Sequence, residues 1–548
     1  MTSAGTHGIE NRMLSLRCHR QAIFRRNILL PRVLLVTSEA LPLAKTGGLG
    51  DAVSGLARAL REAQVDATIL MPAYQSALDH ASDLKEVAKL PGLIGGDATV
   101  LSGWITEFEV PVLLLRNDAM YVRDGSPYLD ANGREWSDNA QRFAALAQAA
   151  TRISTGETAI RVPHIVHAHD WHAGMTPLFL HAAGIKRPKS IITIHNLAFQ
   201  GVFPMETADA LGVPHSYRGS DGAEFWGQLS FLKAGLRYAD RITTVSDTYA
   251  KEILTPEFGN GLDGLLNYRK DDLSAIPNGI DSDIWDPATD PFLTSHFSAM
   301  DMRGKIRNKL ELQQMFGLTT DPEAPLMVMG SRLTSQKMAD LTVDAFPRLL
   351  DAHPRMQIAV LGVGEKPIED ALRALQERYP FRFAINVGYD ERSAHLLHAG
   401  ADILLHGSRF EPFGLTPIYS ILYGTIPVAS RIGGLADTIK DAPLAEGAPI
   451  GDATGVLFDG DTVDAMVAAV ERAVSLYRNP QAWAAMQKNG MTTNFGWESS
   501  AAKYIELYRS LAPVAPVTAP IVTRRTYEAA IGEAPVIAPA LVSERKRA

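Results

Sequence analysis

Cysteine is almost missing from this chain: Cys18 is the only one in 548 residues. No intrachain disulfide can form, which points to a reducing compartment and so to a cytoplasmic protein. Long apolar runs are missing too. Nothing approaches the ~18 consecutive apolar residues that a spanning helix needs, so no membrane partner is expected. Positive charge is not in excess either. The formal net charge is −8, which argues against a nucleic-acid partner, although a few local Lys and Arg can still dominate one cleft and hold a small anion. What remains is an ordinary globular composition, 46% hydrophobic and 21% charged, in a chain long enough for two or three domains.

At the N-terminus, Arg25-Arg26 followed by "NILLPRVLLV" has some look of a twin-arginine export signal. Pro31 and Arg32 interrupt its apolar run, and the segment continues directly into a strand pattern. The expectation is therefore a basic extension over residues 1–30, not a signal.

Short apolar runs then alternate with helical patterns. "RVLLVT", "ATILMP", "HIVHAHD", "SIITIHN" and "RITTVS" come first; "PLMVMGSR", "QIAVLGVG", "FAINVGY", "ADILLHGS" and "IPVASR" follow after a break near "DIWDPATDPF". Continuous apolar strands separated by helices fit parallel sheets covered on both faces. The fold class is α/β: two doubly wound, Rossmann-like domains over residues 31–290 and 291–496. A helix over 497–511 presents Trp497, Ala501, Tyr504, Tyr508 and Leu511 on one face and is expected to return to the first domain. Residues 512–548, rich in Pro, Ala and Val, read as a tail.

Polar residues gather where strands stop: Ser38 and Glu39, Asp170, His195 with Asn196, then Arg332, Tyr389 and Ser408. Open parallel sheets bind ligands beyond these ends, so two such domains facing each other make one cleft. In "SRLTSQK", Arg332 and Lys337 suit a diphosphate, one as a fork and the other as a point charge. In "SRFEPFGLTPIYSILYG", Thr416 reads as an N-cap, Pro417 as the first helical residue and Gly424 as the stop. The amides of Gly414, Leu415 and Thr416 would then face an anion. Glu411 stands just before that turn, where a carboxylate is costly beside a phosphate; a pair with Arg409 is the plainer alternative.

"KTGGLGD" has its lysine, Lys45, ahead of the glycines, the reverse of a Walker loop. His167 and His169 share a strand face, but no distant carboxylate or cysteine pair matches them, so at least one belongs to a hydrogen-bonded core and no metal is expected. "DSD" at Asp281–Asp283 reads as an Asx turn. "GVGEKP" falls short of a dinucleotide fingerprint.

Taken together, "KTGGLGD", "HAHDWHAG", "TIHNLAFQG", "FLKAGLRYADRITTVS", "PNGID", "SRLTSQK", "SRFEPFGLT" and "GGLADT" resemble the bacterial glycogen synthases, ADP-glucose-dependent enzymes related to plant starch synthases. The likeness runs from Arg32 to Leu511. It implies the GT-B architecture and transfer of glucose from ADP-glucose to the non-reducing 4-hydroxyl of an α-1,4-glucan such as glycogen, with retention and without metal or other cofactor. By motif match it implies that Glu411, Asp170, His195 and Lys45 serve catalysis. Lys45, Gly48, Asp51, Asn196, Asn278, Arg332, Lys337, Tyr389, Gly414, Leu415 and Thr416 would bind substrate, with Tyr389 stacking on adenine. Phe413 stands where the family usually has Cys, Met338-Ala339 where it has Gly-Leu, and Pro417 where it has Gln. Tyr419 takes the place of a second glutamate found in many other retaining relatives. Rival readings are a same-fold enzyme making maltose 1-phosphate and a catalytically silent glucan-binding protein. An acceptor panel and an ADP-release assay separate them.

Overall fold

The computed structural model describes residues 30–184, 186–445 and 447–513. Cys18 and nearly all of the expected extension and tail lie outside the described residues. The first domain contains β1 (Arg32–Val36), β2 (Asp66–Pro72), β3 (Ser82–Leu90), β4 (Ala98–Ile105), β5 (Val110–Arg116), β6 (Ile165–His169) and β7 (Lys189–Ile194). A small sheet follows, β8 (Val202–Pro204), β9 (Glu224–Phe225) and β10 (Gln228–Ser230), then β11 (Arg241–Thr244) and β12 (Leu273–Ala275). The second contains β13 (Leu326–Gly330), β14 (Gln357–Gly362), β15 (Phe383–Val387), β16 (Ile403–His406), β17 (Ile426–Ser430) and β18 (Val456–Phe458).

The large first sheet runs β12-β11-β7-β6-β1-β2-β5-β4-β3. Its parallel part is made of strands buried on both faces, as at Val33–Val36, which is why they read as unbroken apolar runs. The edge is different. β5 pairs with β4, and β4 with β3, in antiparallel register. This corrects the expectation of an all-parallel sheet. β3 carries Lys85, Glu86 and Lys89 on a largely exposed edge, so its sequence lacks the apolar run that marked the central parallel strands, and its charges discourage pairing with another chain.

The second sheet is wholly parallel, ordered β15-β14-β13-β16-β17-β18. Counted within the domain this is 3-2-1-4-5-6, the dinucleotide-binding order, whose direction reverses between β13 and β16. In the first domain the corresponding reversal lies between β1 and β6. Ligand crevices belong at these two points.

The helix Glu498–Leu511 buries Tyr504, Ile505 and Tyr508 in the first domain's core. Trp497 fits where a Cβ on Gly55 or Gly279 would collide with it, at 2.1 and 2.6 Å. The outgoing and returning crossings are tied by the Ile280 N–H to the Phe495 carbonyl at 2.8 Å. The domains also meet through Thr248, whose N–H and hydroxyl donate to Asp437 at 2.9 and 2.6 Å, and through the Gly433 N–H, which donates to Glu252 Oε1 at 2.9 Å.

Candidate active site

At the second domain's reversal point, β13 leads into Ser331–Met338 and β16 into Gly407–Gly414. Lys337 Nζ bonds directly to Glu411 Oε2. The same oxygen lies 3.3 Å from His406 Nε2 and accepts from Ser408 Oγ at 3.1 Å. Burial works against the Glu411 charge, but the Lys337 ammonium and the His406 contact outweigh it and hold the carboxyl well below its usual range. The pair with Arg409 is not made, since Arg409 turns to Asp340 at 2.9 Å. Arg332 is exposed and held by Gln336 at 3.0 Å, which in turn donates to the Phe410 carbonyl at 3.1 Å.

The helix after Glu411 starts earlier than expected. It spans Leu415–Leu422 with Gly414 as N-cap at φ 88°, a left-handed conformation that glycine adopts freely. Thr416 is therefore the second helical residue, not the cap, and Pro417 the third. Proline is tolerated there because the first-turn N–H groups have no intrahelical acceptor. Gly424, at φ 64°, follows the helix as expected. Two glycines brace Glu411 from behind: the Gly434 N–H donates to the Glu411 carbonyl at 3.1 Å, and a Cβ on Gly433 would sit 1.9 Å from that oxygen. Phe413 is buried against this brace. Met338 takes φ 51°, which explains glycine as the more usual residue there.

At the first domain's reversal point, Asp170 ends β6 with φ 57° and ψ −172°, a region almost reserved for glycine and a mark of functional strain. Its Oδ1 accepts the N–H groups of His195 at 2.7 Å and Asn196 at 3.2 Å. Burial nevertheless pushes its carboxyl up to about 7. His195 Nε2 lies 3.0 Å from His169 Nδ1, and burial lowers His195 to about 3. His167 is a core residue as expected, bonded to Tyr508 at 2.9 Å and Thr193 at 2.6 Å.

Sequence reasoning assigned no role to Glu39 or Tyr128. Glu39 Oε2 accepts the N–H groups of Thr46 at 2.6 Å and Gly47 at 3.1 Å, and Tyr128 donates to Oε1. The glycine loop thus wraps a carboxylate of its own chain, and the only signal was an acidic residue at a strand end. Lys45 bonds Asp51 at 3.0 Å. Gly48 faces the other domain, where a Cβ would lie 3.1 Å from Leu415. Lys45 is also close enough to Glu391 to favour that residue's charge. Tyr389 is 66% exposed and donates to Glu391 at 2.6 Å. Asn278 is half-buried beside the crossing at Ile280. Asp283 N–H donates to Asp281 Oδ1 at 3.0 Å, the expected Asx turn.

Residues 32–268 match the starch synthase catalytic domain and residues 312–490 the glycosyl transferases group 1 family. The glycogen synthase of Bordetella petrii is 54% identical over 481 residues, covering 87% of this chain and 92% of that one. That of Ralstonia nicotianae is 53% identical over 482 residues, covering 88% of each. Among solved structures, the catalytic domain of Arabidopsis thaliana starch synthase IV bound to ADP and acarbose superposes with a TM-score of 0.80 at 29% identity, covering 89% of this chain and all of that one. A sucrose-phosphate synthase from Thermosynechococcus elongatus, at 16% identity and a TM-score of 0.55, shares the fold. With these relatives along most of its length, the chain belongs to the glycogen synthase family of GT-B glycosyltransferases.

Proposed function

We propose that this protein transfers glucose from ADP-glucose to the non-reducing 4-hydroxyl of an α-1,4-glucan, with retention of configuration. The observation that supports the reading is the buried Lys337–Glu411 pair at the second domain's reversal point, with the Lys45 loop of the first domain reaching the same domain at Gly48–Leu415. Binding of ADP and acarbose by the starch synthase relative supports a nucleotide-sugar donor and a glucan acceptor.

In this reading the bond from the sugar's C1 to the diphosphate oxygen breaks while the acceptor's 4-oxygen bonds C1 from the same face. The acceptor's proton passes to the departing phosphate. Negative charge grows on ADP, where Lys337, Arg332, Lys45 and the Leu415–Thr416 amides meet it; each well-placed donor is worth ~3 kcal/mol. Glu411 and Asp170 face the positive sugar ring, and Asp170 Oδ2 accepts a glucose hydroxyl. His195 and Asn196 set the Asp170 carboxylate through their N–H groups. Tyr389 stacks on adenine, and Gly48, Asp51 and Asn278 line the sugar side.

The test is product analysis with ADP-glucose, UDP-glucose, glycogen and glucose 1-phosphate, repeated for Glu411→Ala and Lys45→Ala. The expected result is α-1,4 extension from ADP-glucose and large losses in both variants. Label entering only a disaccharide phosphate, or no ADP release with glycogen, would refute it.

A further inference from the structure

One buried polar cluster stands between the interdomain segment and the Tyr389 turn. Asp290 belongs to that segment, residues 276–302 between β12 and the helix Arg303–Met315, and its side chain is fully buried. Its Oδ2 accepts the Tyr423 hydroxyl at 2.5 Å and meets His395 Nδ1 at 2.7 Å, while Oδ1 accepts the Phe292 N–H at 2.9 Å. The other ring nitrogen, Nε2, lies 3.6 Å from Glu391 Oε1. Glu391 Oε2 accepts the Tyr389 hydroxyl at 2.6 Å. Asp290–His395 and Tyr389–Glu391 are thus hydrogen-bonded pairs, joined by a His395–Glu391 ion-pair contact that is too long for a hydrogen bond and leaves Nε2 buried without one, and together they lead from a buried connection to an exposed ring. Stacking prevents the imidazole from rotating: Trp285 lies parallel to it at 4.0 Å and carries Tyr419 on its other face at 3.7 Å.

Both ring nitrogens of His395 face carboxylates. A neutral imidazole would turn a lone pair toward one of them, so this arrangement suits the imidazolium. Burial opposes that charge, but Asp290 and Glu391 outweigh it and raise the His395 pKa above 6.5. The remaining neighbours do not compete for the proton. His398, on the same helix, is lowered to about 3 by burial. Tyr423 is a donor to Asp290, and Glu311 of the helix Arg303–Met315 is engaged by Arg392 at 2.5 Å. Across the cleft, Lys45 favours the Glu391 charge.

We propose that His395 is a positioning residue for the nucleotide: anchored on Asp290, its ring fixes Glu391 and so holds the Tyr389 ring where the base is received. This rests on Tyr389 as the base-stacking residue of the proposed function. It adds that the base site is referenced to the interdomain segment. That segment is also pinned to the other domain, because Asp281 and Asp283 pair with Arg58 at 2.8 and 2.5 Å, on the helix that follows the Lys45 loop.

The experiment is calorimetric ADP binding to the full chain from roughly pH 6 to pH 9, bracketing a raised histidine pKa. Wild type, His395→Gln and Glu391→Gln are compared. Wild-type affinity is expected to fall at the alkaline end as His395 loses its proton. His395→Gln should bind about tenfold more weakly at the acid end and show no alkaline fall. Glu391→Gln changes a partly exposed side chain, tests the same link without disturbing the core, and should weaken ADP about threefold or more. In turnover, KM for ADP-glucose should move more than kcat. ADP affinities within about twofold of wild type in both variants, or an alkaline fall retained in His395→Gln, would overturn the inference. A wild-type protein that bound no ADP would instead overturn the donor assignment, and the inference with it.

Discussion

Lys337 and Glu411 come from loops that follow two different strands, β13 and β16, and their charged atoms meet directly over the point where the strand order reverses. Both side chains are nearly buried. A buried carboxylate is costly alone and tolerable beside an ammonium, so each residue makes the other's position possible. Under the proposed function, an arriving donor diphosphate would share Lys337 between two anions and release Glu411 toward the sugar.

Replacing Lys337 by Ala leaves Glu411 buried without its countercharge. Stability should fall by about 3 kcal/mol or more, and kcat/KM by about two orders of magnitude. The pH sign follows from a depressed pKa. Glu411's contribution is present above its unfolded value of 4.5 and lost as pH falls below it. The stability gap between wild type and variant should therefore close toward acid, which melting curves over a pH series will measure.

Asp170 has the opposite sign. Its folded carboxyl is raised from 3.8 to about 7 by burial, so the fold holds its proton and loses stability as pH rises through that window. Asp170→Asn keeps an oxygen for the two N–H donors and carries no charge. It should be more stable than wild type at neutral pH and above, by on the order of a few kcal/mol, with the difference vanishing near pH 4. Its transfer activity should be nearly lost. A variant equally stable at neutral pH would contradict this account.

Gly433→Ala places a Cβ 1.9 Å from the Glu411 carbonyl at a backbone φ of 44°. Neither the helix start nor the Glu411 loop can keep its place. Activity should fall at least about a hundredfold, since small displacements of positioned groups cost that much, with a smaller loss of melting temperature. Steady-state kinetics and calorimetry together test it.

Tyr508→Phe removes the hydroxyl bonded to buried His167 at 2.9 Å. About 1–3 kcal/mol of stability should be lost, while kcat at low temperature stays near wild type. Thermal melts read this directly, and an unchanged melting temperature would show that the C-terminal helix does not depend on the contact.

Most strands of the parallel sheets were readable because burial on both faces demands continuous apolar runs; β5 and the three-residue β12 and β18 were not picked out. β3 was not, because an edge strand is half solvated and mixes Lys and Glu among its residues. The start of the helix at Leu415 was misplaced because Thr-Pro is a strong local signal. What overrode it was the freedom of Gly414 to turn left-handed. Arg332 and Asp170 stood out as polar residues where apolar strands end, and Lys337 and Glu411 through the loops that follow β13 and β16. Glu39 was visible only as an acidic residue at a strand end with no role assigned, and His395 did not stand out at all, since its partner Asp290 lies 105 residues away.

The amino-acid sequence by itself determined the doubled α/β pattern, the strand ends that carry chemistry and the family motifs. These are local properties, set by side-chain burial along a strand and by residue types within a loop. Only the tertiary structure decided which charges meet. It turned Lys337 to Glu411 and Arg409 to Asp340, gave the glycine-loop amides to Glu39, and set His395 between Asp290 and Glu391. Pairing of buried charges depends on distances between strands and domains, and no residue carries that information until the chain has packed.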